Sequence, residues 1–312
     1  MSSRAAGRSA AGEDCTDLLE VRRARPLLGT LVEIRAASIP TSDLDPGHAA
    51  REEARLHAAT DAALDQIDRV HRLMSYHDPD SELSRLNRCE PGRAQLVDPH
   101  TYHVVTAAVE FARLSGGAFD PCIADTLTEW GYLPDTAGSC TRASHVASWE
   151  DIELLAGNRI RLKHPVRMDL GGIAKGYAVD LAVRTLQSAN VTEILLNAGG
   201  DIRVSGTRTH EVFLRHPLAP TTGVHPLQLR NGALASSAAY FSRRSSGNGY
   251  VSALVDPRTQ APYIGDDTIS IRADDCMTAD ALTKIVLFAP RVIAERMLDE
   301  FRAEAFVLQG TV

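Results

Sequence analysis

The sequence predicts an α+β fold, and three features predict it. Short strand-like runs are interspersed with helical stretches, without the regular strand–helix–strand rhythm of a doubly wound parallel sheet. Ile152 to Leu155 and Arg159 to Leu162, joined through Gly157-Asn158, have the pattern of a hairpin. No internal repeat and no low-complexity linker divides the chain after its N-terminal segment, so residues 25–312 read as one domain.

Taken in order, residues 1–24 read as a disordered tail: Met1 to Glu20 is rich in Ala, Ser, Arg and Gly and has no apolar segment. Leu28 to Ala36 reads as a first strand, with Val32 and Ile34 on one face and Glu33 and Arg35 on the other. Thr41 to Gly47 is a polar loop. His48 to Leu73 is a long helix whose apolar stripe is Leu56, Ala59, Ala63, Ile67, Val70 and Leu73. Asp78-Pro79 makes a turn, and Ser81 caps a short helix ending at Asn87. Asp98-Pro99 starts another helix, which runs to Leu114 and stops at Gly116-Gly117. A short helix is expected before Tyr132, and a surface loop over Asp135 to Ser144. Beyond Asp201, strands are expected at Glu211 to Arg215, Val224 to Leu229, Ala233 to Ser237, Tyr250 to Val255, Thr268 to Arg272 and Ala305 to Leu308. Two helices, Cys276 to Ala289 and Arg291 to Phe301, precede the last of these.

Bulk properties exclude several functions. The formal net charge of −7 argues against nonspecific nucleic-acid binding and against a basic membrane-surface patch. There is no run of about eighteen apolar residues, so no membrane span is expected. No hydrophobic segment follows Arg22-Arg23, and no signal peptide or lipobox is seen, so a cytoplasmic location is expected. The five cysteines are scattered, without a CxxC pair, which fits a reducing compartment.

The most informative stretch is Met168-Asp169-Leu170-Gly171-Gly172-Ile173-Ala174-Lys175-Gly176-Tyr177-Ala178-Val179-Asp180. Val166 and Met168 alternate with polar neighbours, as at the end of a strand. The two glycines follow, and Ile173, Tyr177, Leu181 and Leu186 then fall at helical spacing. Asp169 therefore stands just ahead of a helix N-terminus, whose free N–H groups favour an anion such as a phosphate. A second corner, Asn197-Ala198-Gly199-Gly200-Asp201, follows the apolar run Ile194 to Leu196. Two glycine corners carrying acidic residues point to a pocket. The alternative is two ordinary connections with glycine in the left-handed region.

Asp120, Asp169, Asp201, Asp256 and Asp280 lie mostly beside Gly or Pro. A hard cation such as Mg²⁺ takes one or two such carboxylates together with substrate phosphates. Each is alternatively a turn or cap residue. Asp280 is the exception, since it falls inside a predicted helix, where an unpaired Asp is unfavourable. Tyr76, on a polar turn, suits stacking on a planar ligand or covering the long helix. Dinucleotide, P-loop, zincin and serine-hydrolase motifs are absent.

Leu28-Gly29-Thr30, Ser75-Tyr76 with Asp80 to Asn87, Gly117-Ala118-Phe119-Asp120-Pro121, Asp169 to Ala178, Asn197 to Asp201, Asp256-Pro257-Arg258-Thr259 and Ala279-Asp280-Ala281-Leu282-Thr283 together resemble the FAD:protein FMN transferases, the ApbE family. The resemblance implies a T-fold-like architecture of mixed, largely antiparallel sheets packed by helices. It implies Mg²⁺-dependent transfer of FMN from FAD to a threonine hydroxyl of an acceptor flavoprotein, releasing AMP. Carried over by motif, Tyr76, Ala118, Phe119, Asp120, Asp169 and Lys175 would bind FAD, and Gly172, Asp280 and Thr283 would hold the metal.

The sequence departs from the family pattern in four places. Lys284 stands where a threonine is usual, four residues after the metal aspartate, and Ala253 where a histidine is usual. Ser237-Ala238-Ala239 replaces Ser-Gly-Asp, and Leu28 replaces Met. At helical spacing Lys284 can pair with Asp280 or reach the diphosphate. An FAD diphosphatase giving FMN and AMP, or a non-catalytic flavin-binding protein, is therefore the alternative reading.

Overall fold

The computed structural model describes residues 19–38, 46–135, 146–247 and 249–310. The described residues begin with a hairpin of β1 (Leu19–Leu27) and β2 (Thr30–Ser38). Its turn residues, Leu28 and Gly29, both have left-handed φ (55° and 71°), as two-residue hairpins that match strand twist require. This corrects two expectations. The tail does not extend to residue 24, and Leu28 is a turn residue rather than the start of a strand. Val21 is buried, but its neighbours Arg22, Arg23 and Arg25 keep this edge strand polar, and so mask its alternation.

The helix α1 (Pro46–Met74) buries the predicted stripe Leu56, Ala59, Ala63, Ile67 and Val70. Most of the expected polar loop before it lies outside the described residues. Ser81 caps α2 (Glu82–Asn87) by accepting from the Ser84 N–H. After β3 (Ala94–Leu96), Asp98 caps α3 (Pro99–Ser115), which ends on Gly116 at φ 62°. Then come α4 (Ala124–Glu129), β4 (Ile152–Leu155) and β5 (Arg159–Leu162); the loop expected between α4 and β4 lies largely outside the described residues. The predicted hairpin over Gly157-Asn158 forms as β4 and β5.

The segment Val166 to Met168 joins no sheet, contrary to expectation. A side chain replaces the ladder: Asn87 Nδ2 donates to the Met168 carbonyl (2.8 Å), and the Met168 N–H donates to Asn87 Oδ1 (2.9 Å). The Asp169 N–H donates to the Pro121 carbonyl at 2.8 Å. The helix α5 (Ala174–Ser188) then leads to β6 (Glu193–Ala198) and β7 (Asp201–Ser205). The rest is β8 (His210–His216), β9 (Ala219–Leu229), β10 (Ala233–Ala238), β11 (Arg244–Ser246), β12 (Gly249–Val251), β13 (Val255–Asp256), β14 (Ala261–Pro262), β15 (Thr268–Ala273), α6 (Cys276–Phe288), α7 (Arg291–Glu300) and β16 (Glu304–Leu308).

One seven-stranded sheet, in the order β1-β2-β6-β7-β10-β15-β16, organises the molecule. All its neighbours are antiparallel, as are the pairs in the smaller described sheets, so the expected mixed character is absent there. The helices α1, α5 and α6 bury their apolar stripes with Val32, Ile34, Ile194, Leu196 and Ile271 of the sheet in one core. A smaller core of Val204, Val212, Leu214, Leu227, Leu229 and Leu234 sits under the β8–β9 hairpin. Among the described residues, no helix is long and apolar enough to cross a membrane.

Candidate active site

The two glycine corners meet in one cleft of about 950 Å³. Asp169, Gly171 and Gly172 come from the segment leading into α5, and Gly199 and Asp201 from the β6–β7 turn. The pocket inferred from the two corners is therefore present. Their backbones differ, however. Gly199 and Gly200 are left-handed (φ 67° and 106°), whereas Gly171 and Gly172 are not. At Gly172 a Cβ would make only ordinary contacts, 3.4 Å from Lys284 Cε and 3.5 Å from the Phe119 ring.

The floor of the cleft is set by two helices in near backbone contact. A Cβ at Gly176 of α5 would sit 2.3 Å from the Cys276 carbonyl oxygen, at the start of α6. Asp180, one turn further along α5, accepts from the N–H groups of Cys276 (2.9 Å) and Met277 (2.8 Å). A side chain of one helix thus caps the other, alongside the cap from Asp275. Burial pushes the Asp180 carboxyl up to about 6, against the pull of those two N–H donors.

This helix pair and the start of β7 bring four charged side chains together. Lys175 Nζ donates to Asp201 and to Asp280 Oδ2, the latter at 3.2 Å. Lys284 Nζ donates to Asp280 Oδ1 and, at 3.0 Å, to the Asp280 carbonyl. Asp201 and Asp280 are buried, while both lysines line the cleft. Burial opposes the charge on Asp280, yet Lys175 and Lys284 hold its carboxyl below the usual range. Burial raises the Asp201 carboxyl, with Lys175 opposing. Burial also raises Asp169, which the Gly171 N–H, His77 and the two lysines counter. Lys175 is raised despite its burial, because Asp201 and Asp280 face it.

The other predicted residues divide into those that face the cleft and those that support it. Tyr76, Ala118 and Phe119 are buried in its wall. Tyr76 is only 3% exposed, so it is not a surface cover for α1, and its hydroxyl has no hydrogen-bond partner. Asp120 borders the cleft, but its two oxygens accept from the backbone N–H groups of Cys122 (2.8 Å) and Trp149 (3.1 Å). Its carboxylate is a loop-holding group, and burial raises it. Asp256 forms a turn with Arg258. Ala253 lines the cleft, so its methyl stands where the resemblance expects an imidazole. Sequence reasoning placed Asp201 in the second glycine corner and among the candidate carboxylates without giving it a role, and missed the capping role of Asp180.

Two of the three residues expected to hold Mg²⁺, Asp280 and Thr283, do not fit that ion. Both oxygens of Asp280 are taken by ammonium groups. The Thr283 hydroxyl is fully buried, donates to the Asp280 carbonyl (2.7 Å) and meets Ser237 Oγ (2.7 Å). Among the described residues, no three His, Cys, Asp or Glu side chains are grouped to hold a metal. A hard cation needs free oxygens, and here they are already neutralised.

The family model for the ApbE family matches residues 28–307. The chain is 29% identical over 291 residues to an FAD:protein FMN transferase of Rhodobacter capsulatus, covering 86% of this chain and 52% of the relative. It thus spans about half the length of that relative. It is 27% identical to the FAD:protein FMN transferase of Treponema pallidum, covering 84% of this chain and 77% of the relative. Among solved structures, the flavin transferase ApbE of Vibrio cholerae superposes with a TM-score of 0.74 at 22% identity, covering 94% of each chain. An ApbE protein of Thermotoga maritima superposes with a TM-score of 0.73 at 25% identity, covering 93% of this chain and 94% of the other. These likenesses show the fold.

Proposed function

Because this chain belongs to the ApbE family, we propose that it transfers FMN from FAD to a threonine hydroxyl of an acceptor flavoprotein. The observation that carries the reading is the pair of ammonium groups, Lys175 and Lys284, at the floor of a cleft walled by Tyr76 and Phe119. Such a site takes a planar ring at the wall and a diphosphate at the floor.

In the reaction, the acceptor hydroxyl oxygen attacks the phosphorus on the riboflavin side of FAD. A new phosphoester bond forms, and the anhydride bond to the AMP phosphate breaks. AMP leaves with the bridging oxygen, and the hydroxyl proton passes to solvent. No electron changes hands. Tyr76 and Phe119 hold the flavin, with Ala118 leaving it room. Lys175 and Lys284 stabilise charge on the diphosphate, where fixed donors are most effective. Asp169 sets the approach to α5, and Asp120 holds the adjoining loop. No step is assigned to Mg²⁺, since Asp280 and Thr283 are occupied by protein partners. The free thiols Cys89, Cys122 and Cys276 support a cytoplasmic setting.

Ala253 in the cleft gives the diphosphatase reading its weight, because a methyl at that position cannot take the acceptor's proton. Incubation with FAD and an acceptor flavoprotein domain, read by intact mass and nucleotide analysis, separates the readings. Transfer gives an acceptor heavier by FMN less water, with one AMP. Free FMN with AMP and an unmodified acceptor assigns hydrolysis, and intact FAD assigns binding alone.

A further inference from the structure

The misfit between the site and a divalent metal has a direct chemical reading. An ammonium group has three N–H donors. Lys175 spends two on Asp201 and Asp280, and Lys284 spends two on the Asp280 carboxylate and carbonyl. Each keeps one, and both side chains line the cleft. Asp280 is 1% exposed, so a metal ion could reach it only by displacing an ammonium from a buried ion pair. The charges of Lys175 and Lys284 already balance those of Asp201 and Asp280.

We propose that Lys284 is the site's built-in cation: it occupies Asp280 in place of a divalent metal and, with Lys175, meets the diphosphate of FAD directly. The diphosphate part rests on the FAD reading above; the occupation of Asp280 does not. The position is specific, since Lys284 lies one helical turn after Asp280 and their side chains share a face of α6. A lysine supplies a point charge without the coordination geometry of an ion, so the site's demand for metal is removed rather than retuned.

The test has one arm without flavin and one with it. In the first, Mn²⁺ is titrated into the natural protein and into Lys284→Thr, and free Mn²⁺ is read by electron paramagnetic resonance. The natural protein is expected to leave Mn²⁺ free, and Lys284→Thr to bind one equivalent that is lost again in Lys284→Thr/Asp280→Asn. In the second, FAD is titrated by calorimetry in EDTA and in excess Mg²⁺. The natural protein's affinity is expected to change by less than about twofold, and that of Lys284→Thr to rise about tenfold or more with Mg²⁺. Should the threonine variant misfold, Lys284→Gln keeps the stem and removes the charge; it should bind FAD about tenfold more weakly than the natural protein in EDTA. Stoichiometric Mn²⁺ binding by the natural protein that Asp280→Asn abolishes overturns the proposal. Loss of FAD binding in EDTA alone also overturns it. If FAD binds in neither medium, the flavin reading fails, and the Mn²⁺ arm still decides what occupies Asp280.

Discussion

Replacing Gly176 with alanine tests whether the site is framed by a close pair of helices. The new Cβ would fall 2.3 Å from the Cys276 carbonyl oxygen, 2.6 Å from its carbon and 2.7 Å from Met277 Cα. All three are backbone atoms, so no side chain can rotate away. Ordinary contact begins near 3.4 Å, so α5 and α6 must part by about 1 Å. Asp180 bridges the same gap with hydrogen bonds of 2.9 and 2.8 Å, one of which is lost when the helices part by about 1 Å. Overpacking costs about 1–3 kcal/mol. Losing one charge-assisted bond adds about 1.5–3 kcal/mol. The gain in helix propensity returns about 1 kcal/mol. Steric cost wins, and a net destabilisation of about 2–5 kcal/mol is expected, a large part of the ~5–15 kcal/mol that holds a domain. Urea denaturation of both proteins measures it. A Gly176→Ala protein as stable as the natural one, or stabilised by the helix propensity alone, would refute the close approach and the framing built on it.

Three further outcomes follow from the same geometry. Removing Asp280 strands Lys284 and half of Lys175: Asp280→Ala should cost about 3–5 kcal/mol, and adding Lys284→Met should restore at least half of it; a neutral single substitution in the denaturation cycle would show that the pair is not tied. The Asp180 carboxyl is raised from 3.8 to about 6, so its contribution is fully present below pH 4 and lost as pH rises through about 6, by about 3 kcal/mol. Stability profiles of the natural protein and Asp180→Asn should therefore diverge between about pH 4 and 6, and parallel profiles would contradict this assignment. Tyr76→Phe removes a buried hydroxyl without a partner, so stability should hold or rise by about 1 kcal/mol while FAD binds about fivefold more weakly; unchanged affinity in a fluorescence titration would leave the hydroxyl without a role.

Local chemistry was legible in the sequence wherever a residue acts on its own neighbours. Ser81 and Asp98 cap the helices they precede, and Gly157-Asn158 turns the hairpin it interrupts. The spacing of Lys284 from Asp280 allowed the ion pair that forms, as one of two roles open to it. Effects that depend on distant partners were not legible. Strand β1 hides because charged side chains fill its exposed face and a leucine takes the left-handed turn position. Residues 166–168 look like a strand, yet their partner is the Asn87 side chain. Asp120 looks like a binding carboxylate, but it accepts from the N–H groups of Cys122 and of Trp149 in another segment, and the capping of α6 by Asp180 leaves no local trace. The reach of Lys175 to Asp201 and Asp280 exists only once three elements converge.

The central claim is that the cleft floor recognises a diphosphate, and paired titrations of FAD and riboflavin test it most directly. Both ligands offer the same ring to Tyr76 and Phe119, and only FAD offers phosphate oxygens to Lys175 and Lys284. Two charge-assisted bonds at about 1.5–3 kcal/mol each predict that FAD binds about a hundredfold more tightly or better. That margin should collapse toward riboflavin's affinity in a Lys175→Met/Lys284→Met variant. Equal affinity of the natural protein for FAD and riboflavin, by quenching of flavin fluorescence, would contradict the account.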